Sequence, residues 1–279
     1  MDENTVAVGK DIDLETVILQ NVDLVENIGA FKEVAEQFQQ LMMMYSCAIR
    51  EVRTKLEVLN DEFQVQRSHN PISYIKYRVK KPGSILKKLK RRGYPVTLQS
   101  VEEKLHDVAG IRVICSYVQD IYMVADMLTS QNDITLLEVK DYIANPKPNG
   151  YRSLHLVVQI PVFFSDGCKL LKVEVQIRTI AMDFWASLEH KLYYKKGKVV
   201  PRQVLIGLNQ CADLAALLDE KMQHIRNKMK PYLSEEERAE QAANMTLNGN
   251  VIELESDDDW QSMETTEKSE DGQSAEEFV

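Results

Sequence analysis

The chain has 279 residues, 44% of them hydrophobic and 28% charged, a balance that excludes collagen, a disulfide-stapled miniprotein and wholesale disorder. Its net charge of -9 hides a division: residues 235–279 carry 15 acidic and 2 basic groups, while the remainder, with 32 basic against 28 acidic, is mildly positive and suited to phosphate-bearing partners. Four scattered cysteines without a CxxC pair argue against zinc or disulfide frameworks. An acidic amino terminus and the lack of a run of about 18 apolar residues predict a reduced, soluble, cytoplasmic protein.

Residues 1–26 show little periodicity and are expected to form a loose arm. From Phe31 onward, Ala35, Phe38, Met42, Tyr45, Ile49, Val52, Leu56, Leu59 and Phe63 follow at steps of four and three, one stripe of a long helix. Shorter helices are predicted over 84–92, 119–130 and 180–195, with strands at 111–115, 136–142, 154–160 and 170–178. The last two strands read as a hairpin whose connection, 161–169, holds Asp166-Gly167 but is wider than a tight turn. A second helical stripe, Leu208, Cys211, Ala215, Leu218, Met222, Ile225 and Met229, is expected to stop before Pro231. Either stripe can cover the sheet of its own domain or join copies of the chain, and periodicity does not separate the two. From Asn244 the apolar content is too low to offset the entropy of ordering. The resulting plan is an α+β protein: arm and long helix over 1–64, a mixed-sheet core over 65–200, a helix over 201–234 and a disordered acidic tail over 235–279.

Residues 76–92, KYRVKKPGSILKKLKRR, hold nine basic groups and no acidic one. On a helix starting near Ser84, positions 88 and 91 both fall within about 40° of position 84. That face offers a hydroxyl, an ammonium, a guanidinium and the free N–H groups of the helix start to a polyphosphate. A solvated basic face is the plain alternative. A single-stranded nucleic-acid binder is another, although Tyr74, Tyr77 and Tyr94 flank the cations instead of interleaving with them. In KVEVQIRT, strand alternation sends Glu174, Gln176 and Arg178 to one face, either solvent-facing or the floor of a cleft. Asp107 is a second carboxylate that can converge with Glu174, and such a pair suits Mg²⁺ held against phosphates. His106-Asp107 also suggests a metal-dependent phosphohydrolase, but the five histidines supply no second pairing of the right kind. The loop from Asn145 to His155 is bounded by prolines and presents Lys147, Tyr151, Arg152 and His155, with Tyr151 either packed or a platform for a base.

Four segments in this order, RVKKPGSILKKLKRR, HDVAGIRVIC, DYIANPKPNGYRSLHLVV and VEVQIRTIAMDFWASLEHKLYYK, resemble the synthetase domain of RelA/SpoT-type enzymes, and the chain length resembles the small alarmone synthetases. The resemblance covers residues 65–200 closely and implies a nucleotidyltransferase-like synthetase core flanked by long N- and C-terminal helices. It implies transfer of pyrophosphate from ATP to the 3′-hydroxyl of GDP or GTP, without hydrolase activity. Carried onto matching positions, Arg78 and Arg112 would sandwich adenine, and Lys80, Ser84, Lys88 and Arg91 would hold the ATP phosphates. Asp107 and Glu174 would bind Mg²⁺, with Glu174 also drawing the proton from the attacking hydroxyl. Tyr151 would stack on guanine, and Lys147, His155 and Gln176 would line the acceptor site. Asp183 stands where relatives can carry Asn, and its carboxylate would suit guanine N1–H and N2–H while leaving the choice of GDP or GTP open. The resemblance further implies a homotetramer without a membrane partner, the two helical stripes being candidate contacts. Regulation by products or RNA occurs in such enzymes, and no pattern in this chain selects either.

Overall fold

The computed structural model describes residues 28–66, 69–194 and 201–247. Its elements are α1 (Ile28–Gln66), β1 (Ile72–Val79), α2 (Pro82–Arg92), α3 (Leu98–Lys104), β2 (Ala109–Cys115), α4 (Val118–Thr129), β3 (Thr135–Asp141), β4 (Leu154–Phe164), β5 (Gly167–Thr179), α5 (Ile180–Tyr194) and α6 (Arg202–Leu247). Residues up to Glu220 form one compact unit, and a second begins at Lys221, within α6.

Five strands make one mixed sheet in the order β1-β2-β5-β4-β3; β2 and β5 run parallel and the other neighbours antiparallel. Because side chains alternate along a strand, this register decides which residues share a face. Ile111, Val113, Val173, Val175, Ile177, Leu154, Leu156 and Val158 lie on one side and are buried. Against them α1 lays Phe38, Leu41, Tyr45, Ile49, Val52 and Leu56, and α4 adds Ile121, Val124 and Leu128. The stripe from Phe38 to Leu56 is therefore taken up largely by its own domain. Truncating Leu56, which is fully buried, to Ala would cost on the order of 2–5 kcal/mol.

The other side of the sheet is polar. Across the strands the register aligns Lys76, Arg112, Gln176, His155 and Lys140 in one row, and Arg78, Gly110, Glu174, Val157 and Glu138 in the next. A face with so many charges cannot be sealed without partners for each of them, and it is here that the candidate site lies.

Four features depart from the sequence expectations. Strand β1 is masked in the sequence by its lysine and arginine residues, although ISYIKYRV is rich in β-branched and aromatic residues and an edge strand tolerates charge. Helix α3 is short, and its signal is Thr97, whose side chain caps the N–H of Ser100 at 3.1 Å. The β4–β5 hairpin is tight: Phe164 pairs with Gly167 around Ser165-Asp166, and Gly167 takes φ of 130°. Finally, α6 passes through Pro231 to Leu247, beyond both the expected stop and the boundary at 234. A proline inside a helix removes only one backbone donor and need not end it. The loose arm over 1–26 and residues 248–279 of the expected acidic tail lie outside the described residues.

Candidate active site

Helix α2 opens with Pro82 at its first position and closes on Gly93, whose φ of 69° suits the left-handed turn that ends it. Ile85, Leu86 and Leu89 are buried beneath it. Its polar side brings Lys88 onto Asp107, where Lys80, from the end of β1, also arrives at 2.8 Å; both ammonium groups share Oδ2. Burial alone would raise the pKa of Asp107, but the two ammonium groups outweigh it and bring the value to about 2. The other oxygen, Oδ1, is buried without a hydrogen-bond partner. Ser84 is half-buried one turn ahead of Lys88, whereas Arg91 is exposed in the last turn. The predicted Ser-Lys-Arg face exists, and Lys88 is the member it commits to Asp107.

On the neighbouring strands a closed ring of hydrogen bonds surrounds Glu174. Gln176 donates from Nε2 to Glu174 Oε2 at 3.0 Å, and His155 Nδ1 lies 3.3 Å from Oε1. His155 Nε2 meets the Tyr151 hydroxyl at 2.8 Å, and Arg178 closes the ring by donating from Nη2 to both Tyr151 Oη and Gln176 Oε1, the latter at 2.9 Å. Arginine has only donors, so Tyr151 accepts from it and gives its own proton to His155 Nε2. The imidazole then carries its proton on Nδ1, facing the carboxylate. Burial lowers the pKa of His155, keeping it neutral against the pull of Glu174. Burial would likewise raise that of Glu174, yet the bond from His155 holds it below the usual carboxylate value, while the negative charge of Asp107 opposes this. The two carboxylates are thus close enough to influence one another. Both fit a divalent cation in the character of their oxygens and in the orphaned Asp107 Oδ1, with phosphate and water completing the shell. Among the described residues no three His, Cys, Asp or Glu side chains are grouped to hold a metal by themselves. His106 faces Glu138 at 3.7 Å instead, which leaves the phosphohydrolase reading without its ligand set.

The loop from Asn145 to His155 is positioned by α5 and the first turns of α6. Gly150 has φ of 88°, and a Cβ there would stand 2.5 Å from that of Ala212, so only glycine lets the loop approach the helix this closely. Asn209 donates to the Pro148 carbonyl at 2.9 Å, Trp185 to that of Leu208 at 2.8 Å, and Arg152 to that of Ala212 at 3.3 Å. The loop places Lys147 Nζ 4.7 Å from the ring centres of both Tyr142 and Tyr151.

The Asp183 carboxylate is enclosed by Tyr74, Arg112 and Arg178, each donating to it. Arg78 shares the polar face with Arg112, offset by one row. Tyr74 and Tyr142 belong to this site without being among the candidates that the sequence supplies. Arg178, the largest fully buried side chain among the described residues, is readable in the sequence as the guanidinium that shares a strand face with Glu174 and Gln176.

A family model described as a region found in RelA/SpoT proteins matches residues 77–199. The chain is 44% identical to the GTP pyrophosphokinase YwaC of Bacillus subtilis over 205 residues, covering 74% of this chain and 98% of the relative. It is 39% identical to the GTP pyrophosphokinase YjbM of the same organism, covering 70% and 90%. Among solved structures, small alarmone synthetase 1 of Bacillus subtilis bound to its product pppGpp superposes with a TM-score of 0.65 at 38% identity, covering 69% of this chain and 98% of that one. Small alarmone synthetase 2 gives 0.63 at 44% identity, covering 68% and 98%.

Proposed function

The chain belongs to the RelA/SpoT family of GTP pyrophosphokinases and stands with its small alarmone synthetases, and on that premise we propose that its polar face moves pyrophosphate from ATP to the 3′-hydroxyl of GDP or GTP. The observation that carries this reading is the convergence, on one sheet face, of a lysine pair gripping Asp107 and a hydrogen-bonded ring gripping Glu174.

In this reading Lys80, Ser84, Lys88 and Arg91 bind the triphosphate, Arg78 and Arg112 flank adenine, and Tyr151, Lys147, His155 and Gln176 receive the acceptor. Glu174 takes the proton of the 3′-hydroxyl as its oxygen bonds to the β-phosphorus. The bond from that phosphorus to the α-phosphate oxygen breaks, and AMP leaves with the electron pair. Alignment of the two nucleotides can supply roughly 7–11 kcal/mol of the barrier, and the cations stabilise the charge on the transferring group. Mg²⁺, held by Asp107 and Glu174, supplies neutralisation of phosphate charge when bound.

Synthesis without hydrolysis accords with a chain that spans nearly the whole of a small relative. A nucleic-acid binder is not favoured, because the relatives that the chain matches over 98% and 90% of their length are GTP pyrophosphokinases. Among the described residues no helix is long and apolar enough to cross a membrane; the cytoplasm, where both nucleotides are abundant, is the proposed location. For a homotetramer the candidate contacts are now Ile180, Phe184, Leu188 and Leu192 of α5, at helical spacing and exposed, with Leu214, Leu217 and Leu218 of α6; light scattering should give four times 32.0 kDa. Incubation with ATP, GDP and Mg²⁺ should yield AMP and guanosine tetraphosphate in equal amounts. AMP without a more highly phosphorylated guanine nucleotide would overturn the assignment.

A further inference from the structure

Resting on that assignment of donor and acceptor subsites, we infer that Asp183 couples them: one carboxylate oxygen is shared by an arginine of the donor side and the arginine that carries the acceptor platform, so filling one subsite changes the affinity of the other.

Asp183 sits in the first turn of α5 and is 4% exposed. Its Oδ1 accepts from Arg112 Nη1 at 3.0 Å and from Arg178 Nη1 at 3.2 Å, while Oδ2 accepts from the Tyr74 hydroxyl at 3.1 Å. Arg112 belongs to β2, on the polar face beside Arg78. Arg178 belongs to β5, and its second arm, Nη2, holds Tyr151 Oη and Gln176 Oε1. Its guanidinium carbon also lies 5.0 Å from the centre of the Tyr151 ring. A single buried oxygen therefore stands between the two halves of the site.

Sharing makes the two arginines competitors. Two guanidinium groups on one oxygen repel each other, and burial together with this repulsion lowers the pKa of Arg112 to about 10 in spite of Asp183. A purine that draws Arg112 away leaves Oδ1 to Arg178. Because Arg178 is rigid and planar, any movement of one arm moves the other, and with it the hydroxyl of Tyr151 and the amide that orients Glu174. In a buried, low-dielectric position such a shift is not dissipated by solvent. Asparagine has the same shape and keeps an acceptor for the two arginines, but it is uncharged, so it holds both guanidinium groups more weakly, and its amide nitrogen can only donate to the Tyr74 hydroxyl.

Calorimetry on the full chain tests this. α,β-Methylene-ATP is titrated in Mg²⁺ with and without saturating GDP, and GDP is titrated with and without the analogue; the two ratios must agree, since coupling is reciprocal. In the wild type GDP should change the affinity of the analogue about fivefold or more, within the usual range for coupled sites. In Asp183→Asn the ratio should fall below about twofold while each nucleotide still binds. Tyr74→Phe removes only the bond that orients the carboxylate and should give an intermediate ratio. No GDP effect in the wild type would overturn the coupling, as would an unchanged ratio in Asp183→Asn. So would earlier melting with an intact ratio, which marks a purely structural residue. If Asp183→Asn does not fold, an unchanged ratio in Tyr74→Phe overturns it alone. Failure of the wild type to bind either nucleotide would strike the site assignment itself.

Discussion

Under the proposed function, the donor and acceptor halves of the site are built on opposite plans. On the donor side two ammonium groups lean on one oxygen of Asp107 while the other oxygen is left without a partner, and Arg91 is exposed to solvent. On the acceptor side five side chains close a ring in which both oxygens of Glu174 are engaged. A site that must neutralise a polyphosphate needs cations free to change partner, and lysine, a point charge on a flexible stem, allows it. A site that must aim one hydroxyl at one phosphorus needs a base held in a single orientation, which buried hydrogen bonds provide.

The contrast is tested most severely at Glu174. Glu174→Gln preserves size and much of the ring but removes the base, so kcat should fall roughly 10²–10⁴-fold with nucleotide affinities nearly unchanged; turnover within tenfold of wild type would dissolve the distinction. Lys88→Ala should act on the donor half alone. Loss of one charge-assisted contact, about 1.5–3 kcal/mol, corresponds to an ATP affinity roughly 10- to 150-fold weaker, and a comparable loss for GDP bound in the absence of ATP would remove Lys88 from the donor half. Tyr151→Ala should do the reverse. Removal of a stacking platform, about 1–3 kcal/mol, should raise the KM for GDP about 5- to 150-fold and leave that for ATP within twofold.

The unequal legibility of the two halves has the same origin. Ser84 and Lys88 share a helix face by spacing alone, and Glu174, Gln176 and Arg178 share a strand face by parity; both relations are local and readable. That Arg178 reaches Tyr151 depends on β4 lying beside β5, and that Tyr74 and Arg112 reach Asp183 depends on β1 pairing with β2 and on where α5 begins. Such contacts arise from register between distant segments, which no local pattern encodes. The same limit explains why the partners that surround the Asp183 carboxylate, Tyr74, Arg112 and Arg178, are not legible in the sequence. The stripe of α1 is legible as amphipathic, but only the sheet beneath it decides that Phe38, Tyr45, Ile49, Val52 and Leu56 are core.

The smallest effect expected is on stability against pH, and it separates the halves by window. His155 has its pKa lowered in the folded state from an ordinary value of 6.5 by burial. Below 6.5 the unfolded chain therefore takes up a proton that the folded chain refuses, so stability is level above that value and declines as pH falls beneath it, by at most the slope of one proton. Glu174 and Asp107 have the same sign in a lower window. Their folded values lie under the ordinary 4.5 and 3.8, that of Asp107 at about 2, so their contribution is present above those ordinary values and is lost as pH falls through the folded ones. Denaturant unfolding of the wild type between pH 8 and 5 should accordingly show the decline that His155 causes. His155→Gln, which retains a hydrogen-bonding side chain without an imidazole, should flatten the curve in that interval, whereas Lys88→Ala should leave its slope in place. A slope that survives His155→Gln would mean that the ring does not hold its histidine neutral, and the tautomer that orients Glu174 would fall with it.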